Sequence, residues 1–158
     1  MDTDPTIRGR DAILATARSW TSAPAPDVVA ELNNLVQAYA LFTDEGRADE
    51  LAGLFAADAT WDGTDLGYDS ARGPEAIAAA VLKHFDPTRP MIHVPGPPLL
   101  VRVSDSEVRG VGWCLATRSP GDRASPVIYF HYDDLYRRGD DGWRFSNRTL
   151  LLRFRSAS

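Results

Sequence analysis

What most constrains this chain is a change of apolar period at Pro90. Ahead of that residue the hydrophobic side chains recur every three or four positions, the repeat that buries one stripe of a helix; beyond it they alternate, the repeat that buries one face of a strand. From Asp27, a suitable N-cap, Val28, Leu32, Leu35, Tyr39 and Phe42 follow one another at helical spacing until Gly46 ends the run. A second short helix is expected from Arg47 to Ala57, with Leu51, Leu54 and Phe55 on one side. A third opens at Gly73-Pro74 and carries Ile77, Val81 and Phe85. Upstream, Ile7, Ile13, Leu14 and Ala17 are loosely helical in period, and the closely spaced Pro24 and Pro26 break any helix that reaches them. Residues 1–26 therefore read as an N-terminal arm and linker, 27–155 as one domain and 156–158 as a tail.

The alternating half predicts strands near Met91 to Val94, Leu99 to Val103, Val108 to Arg118, Val127 to Arg137 and Trp143 to Phe154. The segments Ser104-Asp105-Ser106, Ser119-Pro120-Gly121-Asp122 and Gly139-Asp140-Asp141-Gly142 are short links suited to antiparallel neighbours, so the strands read as a meander. Helices first and a strongly twisted antiparallel sheet after them make an α+β fold. In that arrangement the three helices are expected to cover one face while the sheet curls around an apolar pocket.

Charge and cysteine usage remove several function classes. A chain of 158 residues can bury roughly two thirds of the surface it exposes when unfolded, so it carries a core of its own. Its formal net charge of -5 disfavours a protein that tracks nucleic-acid phosphates. Cys114 is the single cysteine, which excludes an internal disulfide and a cysteine-based zinc site and fits a cytoplasmic location. The acidic start, Met1-Asp2-Thr3-Asp4-Pro5, lacks the basic and apolar regions of a secretory signal, and no stretch reaches the ~18 apolar residues of a membrane span. There is no glycine-rich phosphate loop, no histidine pair at helical metal spacing and no Gly-x-Ser-x-Gly elbow, so no cofactor or metal is implied.

The run from Leu35 to Thr60, LVQAYALFTDEGRADELAGLFAADAT, resembles the opening of the SnoaL-like group of the nuclear-transport-factor-2-like superfamily. The segment Tyr132-Asp133-Asp134-Leu135-Tyr136-Arg137, followed by Gly142-Trp143-Arg144-Phe145 and Arg148, is similar to that group's last hairpin, and the resemblance covers about residues 28 to 155. It implies a cone-shaped α+β barrel. Because one fold hosts many functions, it does not choose among dehydratases, cyclases, isomerases, epoxide hydrolases and non-catalytic subunits. The local match is nearest to scytalone dehydratase and bile-acid 7α-dehydratase, which place an acid before helix two and a histidine on the first long strand. Those positions fall on Asp44 and His93 here; a tyrosine five residues before the acid is matched by Tyr39, and an arginine on the final strand by Arg148. Where the bile-acid enzyme has a further aspartate on a middle strand, this chain has Cys114 or Ala116. The resemblance also implies a homodimer or homotrimer.

Residue chemistry gives these positions content. His93 lies among Met91, Ile92 and Val94, and an imidazole held in an apolar strand can exchange a proton near neutral pH. Asp44 can accept its second N–H and fix the tautomer, or can serve as a plain turn residue. Tyr39 can polarise a carbonyl or protonate a leaving hydroxyl, yet it also completes the apolar stripe of its helix; it lies about 140° around an ideal helix from Asp44, so the two converge only if the helix stops between them. Arg148 has the parity of Leu150 and Leu152, as an oxyanion partner in the pocket or as a partner of Asp133 or Asp134. Phe130 and Tyr132 share one strand face, which is expected to line the pocket, with His131 left for the rim or a subunit contact. Trp61, Met91 and Trp113 would add flat apolar walls for a small hydrophobic, ring-containing molecule, or would simply be core. The function these residues predict is a cofactor-independent dehydratase or cyclase working through the His93–Asp44 pair. The alternatives are a non-catalytic hydrophobic-ligand-binding or assembly protein, and a ketosteroid-type isomerase.

Overall fold

The computed structural model describes residues 5–118 and 126–156. Helix α1 (Pro5–Arg18) is followed by α2 (Pro26–Asp44), α3 (Ala48–Ala52), β1 (Phe55–Asp62), β2 (Ser70–Arg72) and α4 (Pro74–Val81). Then come β3 (Met91–Pro95), β4 (Leu99–Arg102), β5 (Glu107–Arg118), β6 (Ile128–Gly139) and β7 (Gly142–Arg155). This is the expected α+β order, with the helices against a curved sheet that stays unclosed. Pro26 opens α2 where its missing N–H costs no helical bond. Its apolar stripe buries Leu32, Leu35, Val36, Tyr39, Ala40 and Thr43. The chain leaves α2 through Gly46 at φ 65°, where a Cβ would also sit 2.4 Å from the Phe85 ring.

Three expectations are corrected. The second helix stops at Ala52, because Phe55–Asp62 is a strand that turns Phe55, Ala59 and Trp61 inward; its irregular register against β7 obscures the alternation in sequence. That strand runs parallel to β7, so the sheet is not wholly antiparallel. The meander holds for β5, β6 and β7 alone, since β3 and β4 both pair with β5, on residues 114–118 and 108–111. They are two halves of one edge strand interrupted at Gly96-Pro97-Pro98, where two consecutive prolines can donate no ladder hydrogen bond. The link Ser119-Pro120-Gly121-Asp122 lies outside the described residues.

Strand parity divides the sheet. Val108, Cys114 and Ala116 of β5, Phe130, Tyr132, Asp134 and Tyr136 of β6, and Phe145, Arg148 and Leu150 of β7 are buried with the α2 stripe in one core. The other face carries Trp113 and Leu115, and α1 packs on it: Ile13 and Thr16 are buried there, and Gly9 rests on Leu151. The arm is thus helical from Pro5 and lies on the face away from the cavity. No helix among the described residues is long and apolar enough to cross a membrane.

Candidate active site

His93 occupies an inward position of β3, opposite Ala116, while its neighbours Ile92 and Val94 face outward. Asp44, the last residue of α2, grips it at two points. One carboxylate oxygen, Oδ1, lies 2.5 Å from His93 Nδ1; the other, Oδ2, accepts the His93 backbone N–H at 3.0 Å. The side chains are 11% and 21% exposed, so the pair is shielded but open on one side. With Nδ1 committed to the carboxylate, Nε2 is the nitrogen left for a ligand.

A narrow cavity, with about 50 Å³ open to the centre of a water molecule, begins at His93. Its walls include Tyr39, Trp61, Met91 and Leu150, together with Phe130 and Tyr132 from the β6 face that parity assigned to the pocket. Helix α2 does not stop between Tyr39 and Asp44: both lie within it, and Asp44 reaches the cavity only through His93. The Tyr39 oxygen accepts the Trp61 indole N–H at 3.1 Å, and burial pushes its phenol up to about 12. Burial likewise raises Tyr132 well above the ordinary tyrosine range and lifts the Cys114 thiol to about 11.

Two expected site residues are placed elsewhere. Trp113 points to the outer face, 38% exposed, because even-numbered residues of β5 face inward. Arg148 is fully buried and absent from the cavity wall. Its guanidinium makes two parallel bonds to Asp134, Nε to Oδ1 at 2.9 Å and Nη2 to Oδ2 at 2.8 Å, and Tyr136 donates to the same carboxylate at 2.8 Å. The rings of Tyr132, Phe145 and Tyr39 pack on it with centroids at 3.8, 4.0 and 4.2 Å. The pairing alternative for Arg148 is the one observed. Among the described residues, no three of His, Cys, Asp and Glu converge as a metal-ligand set.

The family model of the SnoaL-like domain matches residues 26–149. The chain belongs to that family. No curated protein matches this SnoaL-like chain by sequence. Solved structures do match, and they place it in the nuclear-transport-factor-2-like fold. A provisionally assigned scytalone dehydratase from Novosphingobium aromaticivorans is 20% identical with a TM-score of 0.68, covering 94% of this chain and 91% of its own. LinA is 25% identical with a TM-score of 0.69, covering 82% and 88%. The hexachlorocyclohexane dehydrochlorinase LinA-type3 from Novosphingobium barchaimii is 26% identical with a TM-score of 0.68, covering 80% and 87%.

Sequence reasoning missed the rim of this SnoaL-like cavity, formed by Leu66, Tyr68, His84, Phe85, Asp86 and Arg118. The Tyr68 ring lies 5.3 Å from that of His84 and 5.9 Å from that of Trp61. Arg118 donates to the backbone carbonyls of His84 and Arg89 and ties the rim to β5. Two signals were present. His84 continues the helical stripe of Ile77 and Val81, and Arg118 has the parity of Cys114 and Ala116.

Proposed function

We propose that this chain is a cofactor-independent acid/base enzyme of the lyase kind, a dehydratase or cyclase, in which His93 removes a proton from carbon beside a carbonyl. The substrate is a small, largely apolar, ring-bearing molecule, slim enough for a cavity walled by Trp61, Phe130, Tyr132 and Leu150. The observation that carries this reading is the two-point hold of Asp44 on His93, ring and backbone together, at the cavity wall. Nε2 accepts the proton, and the Asp44 carboxylate balances the charge of the imidazolium that forms. Tyr39 keeps its proton at neutral pH. Its oxygen already accepts from Trp61, so its own O–H is available to a substrate oxygen. In a dehydration the C–H electrons form the double bond while the C–O bond breaks, and the departing hydroxyl leaves as water by taking up the proton that His93 Nε2 has gained, which restores the neutral imidazole.

The likeness to dehydrochlorinases of hexachlorocyclohexane, at 25% and 26% identity, supports elimination on a six-membered ring as the reaction class. The outward apolar residues Ile92, Val94, Trp113 and Leu115 suit self-association as a homodimer or homotrimer, and the single reduced Cys114 suits a cytoplasmic setting. The reading is tested by turnover on a panel of cyclic β-hydroxy ketones. His93→Ala should lower kcat/KM by about 10²- to 10⁴-fold with an unchanged circular dichroism spectrum. A variant as active as the parent on a turned-over substrate contradicts it.

A further inference from the structure

The mouth of the cavity at His93 is built from two segments, each anchored to a different part of the fold. Residues 63–69, between β1 and β2, are pinned to β7: Asp65 accepts the Leu152 N–H at 2.6 Å, and Arg155 donates to the Leu66 carbonyl at 3.3 Å. Residues 82–90, between α4 and β3, are pinned to β5 by Arg118 through the carbonyls of His84 and Arg89, and the Phe85 ring lies against Gly46 beyond the end of α2. Across the mouth the two segments meet side by side. The Tyr68 ring lies 5.3 Å from that of His84, and Lys83 Nζ donates to Asp69 at 2.7 Å.

These meeting points are weakly held, whereas the rest of the wall is not. Tyr68 lines the cavity and packs edge-on against Trp61, yet no hydrogen bond among the described residues ties its hydroxyl or the His84 imidazole, so packing alone keeps the two rings together. The Lys83–Asp69 pair is solvated on both sides, and such pairs contribute little. Phe130 and Tyr132, by contrast, are fully buried in the core, where close packing resists displacement. The space open behind the mouth, about 50 Å³ to the centre of a water molecule, has room for about four waters. A six-membered ring with its oxygen substituents is larger than that, so part of the wall must move to admit it, and the mouth is the part that can.

We propose that Tyr68 is the gate of this cavity, the side chain that sets which ring-bearing molecules enter and how fast. While the rings of Tyr68 and His84 touch, the mouth is shut; when Tyr68 swings away, the opening and the cavity widen together. The neighbouring Asp69–Lys83 pair is the latch that favours the shut arrangement. Only the open fraction of molecules admits a ligand, so association scales with that fraction. The proposal rests on the acid/base reading for the size of the substrate, but the gate itself moves no proton.

The gate is tested on the full chain with 4-fluorophenol, an aromatic probe that undergoes no elimination, its association rate being read by ¹⁹F exchange NMR. Tyr68→Ala should raise that rate by about tenfold or more, while Tyr68→Phe, which keeps the ring, should leave it at the parent's value. Asp69→Asn alters only exposed atoms and removes no part of the cavity wall; it should raise the rate by about two- to fivefold, the scale of an exposed ion pair. Association no faster in Tyr68→Ala and Asp69→Asn than in the parent, or no binding of the probe to any of these proteins, overturns the proposal. Because the probe does not react, neither result bears on the chemistry at His93, and a failed substrate panel would leave the gate standing.

Discussion

At the scale of single residues, the site rests on one hydrogen-bonded contact that fixes the proton inventory of an imidazole. Asp44 takes Nδ1 of His93 and the backbone N–H beside it, so ring rotation and tautomer are set together. Asp44→Asn keeps the shape but turns an acceptor of both bonds into a group that can donate to Nδ1, which favours the wrong tautomer. Two-dimensional ¹⁵N spectra at pH 8 should show the Nδ1–H form in the parent and a shift toward Nε2–H in the variant, with kcat/KM lower by about 10- to 100-fold. The same Nδ1–H tautomer and unchanged activity in the variant would show that the carboxylate does not orient the ring. His93, Asp44 and Tyr39 were all legible in the sequence as candidates, by position and by residue type. Trp113 was misread because an apolar aromatic carries no label for which face of a strand it occupies; the parity of Cys114 and Ala116, small residues facing the α2 stripe, settles it only once the sheet is formed.

At the scale of elements, β6 and β7 are joined by a charge pair buried behind the cavity floor. Arg148 and Asp134 face each other across the ladder, and neither touches solvent. Removing one partner leaves the other charge without compensation, which costs about 3–5 kcal/mol, whereas replacing both by apolar groups costs far less. Urea denaturation should therefore rank Arg148→Met as strongly destabilised and the double variant Arg148→Met/Asp134→Leu as closer to the parent. The reverse order would mean that the rings of Tyr39, Tyr132 and Phe145 hold this corner without the ion pair. Helices α2 and α4 and strands β5 to β7 were legible because each keeps one apolar period for eight residues or more. Strands β1 and β2 were not: Phe55-Ala56-Ala57-Asp58-Ala59 is rich in alanine, its register against β7 shifts, and β2 has three residues. A strand that runs parallel to a partner nearly a hundred positions away leaves no local sign of that pairing.

At the scale of the whole molecule, a sheet closed on one face by helices makes a cavity lined by aromatic rings and by His93, which Asp44 holds. The outer face is partly covered by α1, which sequence reading took as an arm because its apolar residues are few. The cavity's location followed from the fold class; its rim did not, since Tyr68, His84 and Arg118 come from three separate segments that meet only in three dimensions. The central claim is that His93 takes a proton from carbon, and washout of deuterium tests it most directly. A cyclic β-hydroxy ketone deuterated beside its carbonyl is incubated with the parent and with His93→Gln, and the label reaching water is followed by ²H NMR. The account predicts enzyme-dependent washout or elimination with a primary isotope effect in the parent and neither in the variant; label released equally by both would contradict it.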